Sequence, residues 1–184
     1  IGEGSTSQGE WYEAVNWAAI HALPVIFLVE NNQYAISVPT DKQMAVKSAA
    51  DKACGLGLDG RMVDGTDVFA VYAVMSEVVA KARSGGGPSL IEARMYRITP
   101  HSSDDDDRSY RTREEVEENK KRDPILVART QLLESGVLSA RELEEMESRA
   151  KAMVDDAVAY AEKAPYPAVE EAAYPVYVEE VRRA

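Results

Sequence analysis

Residues 24–32, PVIFLVENN, decide the fold of this chain. Pro24 ends a helical pattern, and the run from Val25 to Val29 is entirely apolar and rich in β-branched residues. A strand that is apolar on both faces is typical of a parallel sheet covered by helices, because a half-exposed strand would alternate apolar and polar residues. The stretch therefore predicts a buried strand that ends in two asparagines, Asn31 and Asn32.

Helical and strand-like segments alternate after the opening turn. Asp67 has the position of an N-terminal cap for one of these helices. The pattern predicts helices over 5–22, 42–54 and 67–83, and further strands over 61–65 and 89–98. This order implies right-handed crossovers and an α/β fold with a doubly wound, mostly parallel sheet.

The character of the sequence changes at Thr99. Residues 100–111, PHSSDDDDRSYR, form a polar, charge-dense loop. Ser139 and Glu142 have the spacing of a capping box at the start of a long helix. We predict helices over 113–121, 124–135 and 139–163, and three regions: an α/β core over 1–98, a loop over 99–112, and a helical region with a tail over 113–184. The tail is rich in proline and tyrosine, and we expect it to pack on its own domain or on a neighbour.

Composition limits the partners of this protein. Its 184 residues carry a net charge of −11 and a pI near 4.7, which argues against nucleic acid or an anionic membrane surface as a partner. The longest apolar run, 23–29, is far shorter than the roughly 20 residues of a membrane span. A single cysteine, Cys54, fits a reducing compartment. With no secretory leader visible, we expect a cytoplasmic protein.

Two short motifs suggest a ligand site. Gly2-Glu3-Gly4 lies at a strand-to-helix turn, and the asparagine pair ends a strand one crossover later. The carboxyl ends of neighbouring parallel strands line one crevice, so Glu3 and Asn32 should meet there. Carboxylate, amide and carbonyl oxygens suit Mg²⁺, and helical N–H groups at Gly4 and Ser5 suit a diphosphate.

The alternative to this metal–diphosphate site is a glycine-rich turn beside a capped strand end, with no ligand. The asparagine pair favours the site, because we see no structural reason in the sequence for asparagines at the ends of core strands.

The two motifs resemble the thiamine-diphosphate fingerprint: Gly-Asp/Glu-Gly, roughly thirty residues, then Asn-Asn. More narrowly, the sequence resembles the α subunit of 2-oxo acid dehydrogenase decarboxylase components, through GEGSTSQGEW, PVIFLVENNQYAIS, EARMYRITPHSSDDDDRSYR and KKRDPI. The stretch PHSSDDDD is similar to the branched-chain, 2-oxoisovalerate type, whereas pyruvate- and acetoin-specific relatives usually differ there. The resemblance covers essentially the whole chain and implies the thiamine-diphosphate-binding fold with a C-terminal helical extension.

This resemblance assigns a role to individual residues. It implies that Mg²⁺ is bound by Glu3, by the side-chain oxygen of Asn32 and by the backbone carbonyl of Tyr34. The implied thiamine diphosphate contacts are Gly4, Ser5, Glu30, Asn32, Ile36, His101 and Ser102. Some relatives have an arginine in place of Glu30, so the metal or a basic group must offset this carboxylate.

His101 is the implied catalytic residue. The other histidine, His21, lies near the end of an amphipathic helix, where a structural role is expected. An imidazole exchanges protons near neutral pH, and the resemblance implies that His101 contacts the diphosphate region and protonates the dithiolane during acyl transfer to a lipoyl group.

The four consecutive aspartates, 104–107, allow two interpretations. They could form a solvated, mobile surface run, or the flanking arginines at 97, 108, 111 and 113 could hold the loop in place when cofactor is bound. In mitochondrial relatives a serine matching Ser102 is phosphorylated, and added negative charge there would disrupt such a loop. The sequence leaves modification of Ser102 open.

The resemblance implies oxidative decarboxylation of branched-chain 2-oxo acids, with transfer of the acyl group to lipoyl on an acyltransferase component. It implies an assembly of two α and two β subunits, and an α chain that is inactive alone. The family pattern also implies that these residues are the C-terminal portion of the subunit, and such a piece should oligomerise. Pyruvate or acetoin specificity, or a role in subunit assembly only, are the alternatives.

Overall fold

A computed structural model describes residues 1–173 of the chain. The protein folds as two compact units, Ile1–Ser135 and Gly136–Ala184. The region limits expected at residues 98 and 112 stay predictions. Within the described part of the chain, no helix is long and apolar enough to cross a membrane.

The first unit is built on a parallel sheet. The strands are β1 (Ile26–Asn31), β2 (Tyr34–Ala35), β3 (Val38–Pro39), β4 (Asp59–Asp64) and β5 (Ser89–Arg94). Strands β1, β5 and β4 pair in that order, and both pairings are parallel. Strands β2 and β3 form a small antiparallel hairpin immediately after β1. The predicted α/β fold with a parallel sheet is therefore confirmed.

Helices precede, separate and follow the strands. They are α1 (Gly9–Ile20), α2 (Thr40–Gln43), α3 (Lys52–Gly55), α4 (Val68–Arg83), α5 (Arg113–Lys120), α6 (Pro124–Glu134) and α7 (Ala140–Lys163). Short 3₁₀ turns cover Glu3–Ser7, Ala49–Asp51, Asp107–Ser109 and Val169–Ala173. Helix α7 belongs to the second unit.

Apolar clusters cover both faces of the central strand β5. Leu90 packs with Trp11 and Val15 of α1, whereas Ile91 packs with Val78 of α4. Successive side chains of a strand point to opposite faces, so the apolar residues of β1, 26–29, and of β5, Leu90 and Ile91, pack into both clusters.

The opening turn follows a strand-like segment, as predicted. Gly2 forms a parallel bridge with Glu30, and the Glu30 N–H donates to the Ile1 carbonyl at 2.8 Å. The turn Glu3–Ser7 therefore starts beside the carboxyl end of β1.

The first predicted helix starts later than expected. Residues 3–7 form a 3₁₀ turn, and α1 begins only at Gly9. The Thr6 hydroxyl donates to the Glu3 carbonyl at 2.6 Å, and Lys52 donates to the Thr6 carbonyl at 2.8 Å. Side chains that bind backbone groups in this way compete with an α-helix.

The continuous helix predicted over 42–54 is wrong. Helices α2 and α3 are separated by an irregular segment and a 3₁₀ turn. Ser48 and Asp51 form a capping box there, and Glu92 accepts hydrogen bonds from the Ser48 hydroxyl and the Ala50 N–H. These bonds start a new turn in place of a continued helix.

The helices and the strand that follow residue 66 agree better with the predictions from the sequence. Asp67 caps α4 by accepting hydrogen bonds from Phe69 N–H and Ala70 N–H, and α7 begins with the predicted capping box between Ser139 and Glu142. Strand β5 ends at Arg94, four residues early, because its neighbour β1 ends at the paired position Asn31. The predicted tail from residue 174 onwards lies outside the described residues.

Candidate functional site

The turn after Gly2 and the end of β1 meet, as the sequence predicts. Glu3 is 1% exposed, and its Oε2 accepts a hydrogen bond from the Asn32 N–H at 3.3 Å. A side chain at Gly4 would place its Cβ 2.8 Å from the Cβ of Ala35. Glycine is therefore needed where these two loops touch.

The other carboxylate oxygen of Glu3 lies unpartnered inside the protein. Its Oε1 is buried and has no hydrogen-bond partner among residues 1–173. An unpartnered carboxylate oxygen inside a protein is costly, and a bound cation removes that cost. Among the described residues, no group of three or more His, Cys, Asp or Glu side chains is placed to hold a metal ion. A metal here would therefore combine one carboxylate with amide and carbonyl oxygens, a set that fits Mg²⁺.

The two asparagines after β1 differ in their roles. Asn31 is buried, its Nδ2 donates to Glu92 Oε1 at 2.6 Å, and its Oδ1 accepts from the Gln33 N–H at 2.9 Å. The expectation that neither asparagine has a structural reason is wrong for Asn31, which binds the central strand. Asn32 is half-buried, and its Oδ1 accepts from the Tyr34 N–H at 3.1 Å.

Arg97 binds the backbone of the same turn, which the sequence did not predict. Its guanidinium donates to the Tyr34 carbonyl at 3.1 Å and to the Ile36 carbonyl at 2.7 Å. A carbonyl oxygen has a second lone pair, but a cation beside Tyr34 would oppose metal binding there. The metal-ligand role of Tyr34 stays a prediction.

Two residues of this turn adopt the left-handed backbone conformation. Gln33 has φ of 74° and Ile36 has φ of 58°. For a β-branched residue such as Ile36 this conformation is strained, at a cost on the order of 1–3 kcal/mol, and strained residues cluster at ligand-binding segments. The Ile36 side chain is 58% exposed, so it is accessible to a ligand.

The loop that carries His101 is connected to this turn by hydrogen bonds. Arg97 donates to the Tyr110 hydroxyl at 2.7 Å, and Tyr110 donates to Asp105 at 2.5 Å. Asp105 also accepts from the His101 backbone N–H at 2.8 Å. The imidazole of His101 belongs to an exposed residue, and the path from Arg97 fixes the backbone beneath it.

A second arginine holds the base of this loop. Arg111 is 5% exposed, and it donates to Asp107 at 2.6 Å and to the Thr99 carbonyl at 2.9 Å. Its guanidinium lies 5.5–6.0 Å from three tyrosine ring centroids, those of Tyr34, Tyr96 and Tyr110.

Three of the four consecutive aspartates therefore have partners within the chain. Asp105 binds Tyr110, Asp107 binds Arg111, and the exposed Asp106 binds Arg108 at 2.6 Å. Two flanking arginines, Arg108 and Arg111, therefore pair with aspartates of this run. That bound cofactor orders the loop stays a prediction.

Two tyrosines share one carboxylate beneath the turn. The hydroxyls of Tyr34 and Tyr96 both donate to Glu115 Oε1, at 2.8 and 2.9 Å. Burial, together with the bond to Glu115, raises the pKa of Tyr34 and raises the pKa of Tyr96 to about 12. Both phenols are therefore neutral at physiological pH. This contact attaches α5 to the turn, and no local sequence signal indicated it.

The other residues predicted to contact the cofactor lie in the opening turn, in β1 and in the His101 loop. The Ser5 N–H donates to the Gly2 carbonyl at 3.1 Å, so the expectation of an unused N–H group is wrong for Ser5 and stays a prediction for Gly4. Glu30 is exposed and alternates with Asn31 along β1, and Ser102 is exposed in the loop. The cofactor contacts of these residues stay predictions.

The family of the chain follows from comparison with known proteins. Residues 1–170 match the family described as dehydrogenase E1 component, and the chain belongs to that family. The resemblance identified from the sequence motifs is thereby confirmed.

Individual relatives within the family differ in their identity to this chain. The 2-oxoisovalerate dehydrogenase subunit alpha of Bacillus subtilis is 52% identical over 177 residues, which are 96% of this chain and 54% of the relative. The 3-methyl-2-oxobutanoate dehydrogenase subunit alpha of Mycobacterium tuberculosis is 49% identical over 151 residues, 82% of this chain and 41% of the relative. The pyruvate dehydrogenase E1 component subunit alpha of Staphylococcus aureus is 42% identical over 158 residues, 85% of this chain and 43% of the relative. The chain spans about half the length of the curated relatives it matches.

Proposed function

We propose that these residues belong to the α subunit of a branched-chain 2-oxo acid dehydrogenase decarboxylase component. Its reaction is the oxidative decarboxylation of branched-chain 2-oxo acids, such as 3-methyl-2-oxobutanoate, with transfer of the acyl group to lipoyl. The choice of substrate is supported by the identities of 52% and 49% to relatives named for these acids, against 42% to a pyruvate enzyme.

The observation that carries the proposal is the buried, unpartnered Oε1 of Glu3 beside the Asn32 loop. We assign Mg²⁺ to Glu3, Asn32 and the Tyr34 carbonyl, and the diphosphate to the turn around Gly4 in a doubly wound thiamine-diphosphate fold. Thiamine diphosphate would supply the electron sink for decarboxylation.

The residues of this chain would orient the cofactor and move a proton. Glu3 and Asn32 bind the metal and so fix the diphosphate. His101 donates a proton from its imidazole during acyl transfer, and the hydrogen bonds from Arg97 through Tyr110 and Asp105 hold the backbone of His101.

The partners follow from the same proposal. We infer a β subunit, in an assembly of two α and two β subunits, and a lipoyl-bearing acyltransferase component. The names of the relatives support this inference, because each describes a subunit alpha. The single cysteine supports a reducing, cytoplasmic location.

Binding of Mg²⁺ and thiamine diphosphate tests the site. In the full-length subunit assembled with β, Glu3→Ala should weaken Mg²⁺-dependent cofactor binding at least about 100-fold, since changes outside the ligand shell already cost roughly 10- to 100-fold. Glu10→Ala, which removes an exposed acid of α1, is the control and should leave the titration unchanged. Equal calorimetric affinities for Glu3→Ala and the parent protein would reject the metal assignment.

Turnover by the full-length subunit assembled with β distinguishes a branched-chain substrate from pyruvate and acetoin. The proposal expects the highest kcat/KM with 3-methyl-2-oxobutanoate, and a preference for pyruvate or acetoin would reassign the substrate. An assembly that binds no cofactor would leave only a role in subunit assembly.

A further inference from the structure

Glu92 is a carboxylate in the middle of the apolar strand β5. It is 0% exposed, and it lies between Ile91 and Ala93, which both belong to the core. Its Oε1 accepts from Asn31 Nδ2 at 2.6 Å, and its Oε2 accepts from the Ser48 hydroxyl and from the Ala50 N–H. All three donors are neutral. A buried acid is expensive in such surroundings, so its presence needs a reason other than packing.

One oxygen of Glu92 fixes the turn that carries Asn32. Because Glu92 binds the Nδ2 of Asn31, the Oδ1 of Asn31 points to the Gln33 N–H, at 2.9 Å. That bond closes the tight turn over residues 31–33, in which Gln33 has a positive φ. The turn places the Asn32 N–H against Glu3 Oε2.

The other oxygen of Glu92 fixes the segment that supports Glu3. The turn from Ser48 to Asp51 leads directly into Lys52. The Lys52 ammonium donates to the carbonyl and the hydroxyl of Thr6, both at 2.8 Å. The Thr6 hydroxyl in turn donates to the Glu3 carbonyl at 2.6 Å.

We propose that Glu92 is a positioning residue, which holds both loops of the candidate metal site in register through Asn31 and through the 48–52 segment. This inference rests on the proposed function, because it concerns the same metal. Glu92 is not one of the proposed metal ligands; through Asn31 and the 48–52 segment it positions two of them, Asn32 and Glu3.

The substitution Glu92→Gln tests this role with almost no change in volume. The glutamine has one acceptor and one donor end, whereas the site needs two acceptor ends. If its NH₂ faces Asn31, the Asn31 amide must rotate and lose the Gln33 N–H. If its NH₂ faces Ala50, the Ala50 N–H loses this acceptor and keeps only the Ser48 hydroxyl oxygen, at 3.1 Å. In the first orientation the turn over 31–33 loses the bond that closes it, and in the second the 48–52 segment loses its N–H bond to β5.

The experiment compares this variant with a core variant on the opposite face of the sheet. Val78, on α4, is 1% exposed and packs in the other apolar cluster. Val78→Ala should lower the unfolding temperature but leave the affinity for Mg²⁺ unchanged. Glu92→Gln should weaken Mg²⁺ binding about 10-fold or more, as changes outside a metal's ligand shell do.

Mg²⁺ is titrated by calorimetry into the full-length subunit assembled with β, at saturating thiamine diphosphate. If the parent protein binds no Mg²⁺, the proposed function fails and not the role of Glu92 alone. If the parent binds and Glu92→Gln binds as tightly as Val78→Ala, the positioning role is wrong.

A milder variant covers the case in which Glu92→Gln does not assemble. Ser48→Ala removes one donor to Glu92 and should weaken Mg²⁺ binding about threefold, the effect of one lost hydrogen bond. Unchanged Mg²⁺ affinity in Ser48→Ala would then overturn the proposal.

Discussion

The turn after β1 and the loop after β5 both carry predicted site residues, but different interactions hold them. The turn over 31–36 is supported from below by buried contacts, such as Asn31 with Glu92. The loop over 101–111 is held at its exposed end by charged pairs, such as Arg108 with Asp106, and only its base is buried, at Arg111. Arg97 binds both regions.

The turn and the loop are therefore held by interactions that differ in their response to solvent conditions. Buried hydrogen bonds are screened little by salt, and removing one partner leaves a polar group unpaired inside the protein. Exposed ion pairs contribute little and are screened by salt. The turn over 31–36 should therefore keep its conformation over a wide range of salt concentrations, whereas the exposed end of the His101 loop should respond to salt and pH.

The largest effect is expected at Asn31. Asn31→Ala should lower the free energy of unfolding by about 2–3 kcal/mol, because it leaves Glu92 Oε1 and the Gln33 N–H without partners. Asn32→Ala should lower it by less than about 1 kcal/mol, since its half-buried side chain accepts one local bond. Urea denaturation of the full-length subunit measures both. Equal losses at the two positions would contradict the division of roles between the asparagines.

A smaller effect is expected at the base of the loop. Arg111→Lys should cost about 2 kcal/mol, because an ammonium cannot replace the fork that binds Asp107 and two carbonyls. Limited proteolysis within residues 101–111 should become faster. Arg108→Lys is the matched control at an exposed position and should leave the cleavage rate unchanged. If both variants are cleaved at the parent rate, Arg111 does not hold the loop.

The smallest effect concerns pH. The hydrogen bond from Tyr110, followed by that from the His101 N–H, holds the pKa of Asp105 below its ordinary value. Since the pKa is lowered on folding, the stabilisation is complete above the ordinary aspartate pKa of about 3.9 and is lost as pH falls through the lowered value. Tyr110→Phe should move the pKa of Asp105 back up, as seen in a carboxyl NMR titration. An unchanged titration curve would show that Tyr110 does not stabilise the carboxylate.

Local patterns predicted the elements whose signals lie within one segment. The apolar run of β1, the Asp67 cap of α4 and the capping box of α7 each act over a few residues, so the sequence was sufficient. The prediction of a continuous helix over 42–54 was wrong because the interruption depends on Glu92, some forty residues further along the chain. The capping-box spacing of Ser48 and Asp51 was the available signal.

The contacts of the candidate site also divide into those that the sequence predicted and those that it did not. The pairing of Glu3 with Asn32 was predicted because parallel strands bring their carboxyl ends to one edge of the sheet. The contacts of Arg97, Tyr110 and Glu115 were not predicted, since each joins segments that only the folded chain brings together.

The sequence by itself determined the parallel α/β core, the family and the two motifs that meet at its edge, because periodicity and short motifs are local properties of the chain. Tertiary structure alone decided that Asn31 is structural, that Glu92 binds both Asn31 and the Ser48 turn, and that Arg97 connects the turn with the His101 loop. The physical reason is that a buried polar group must find its partner wherever the fold places one, and that partner can be distant in sequence.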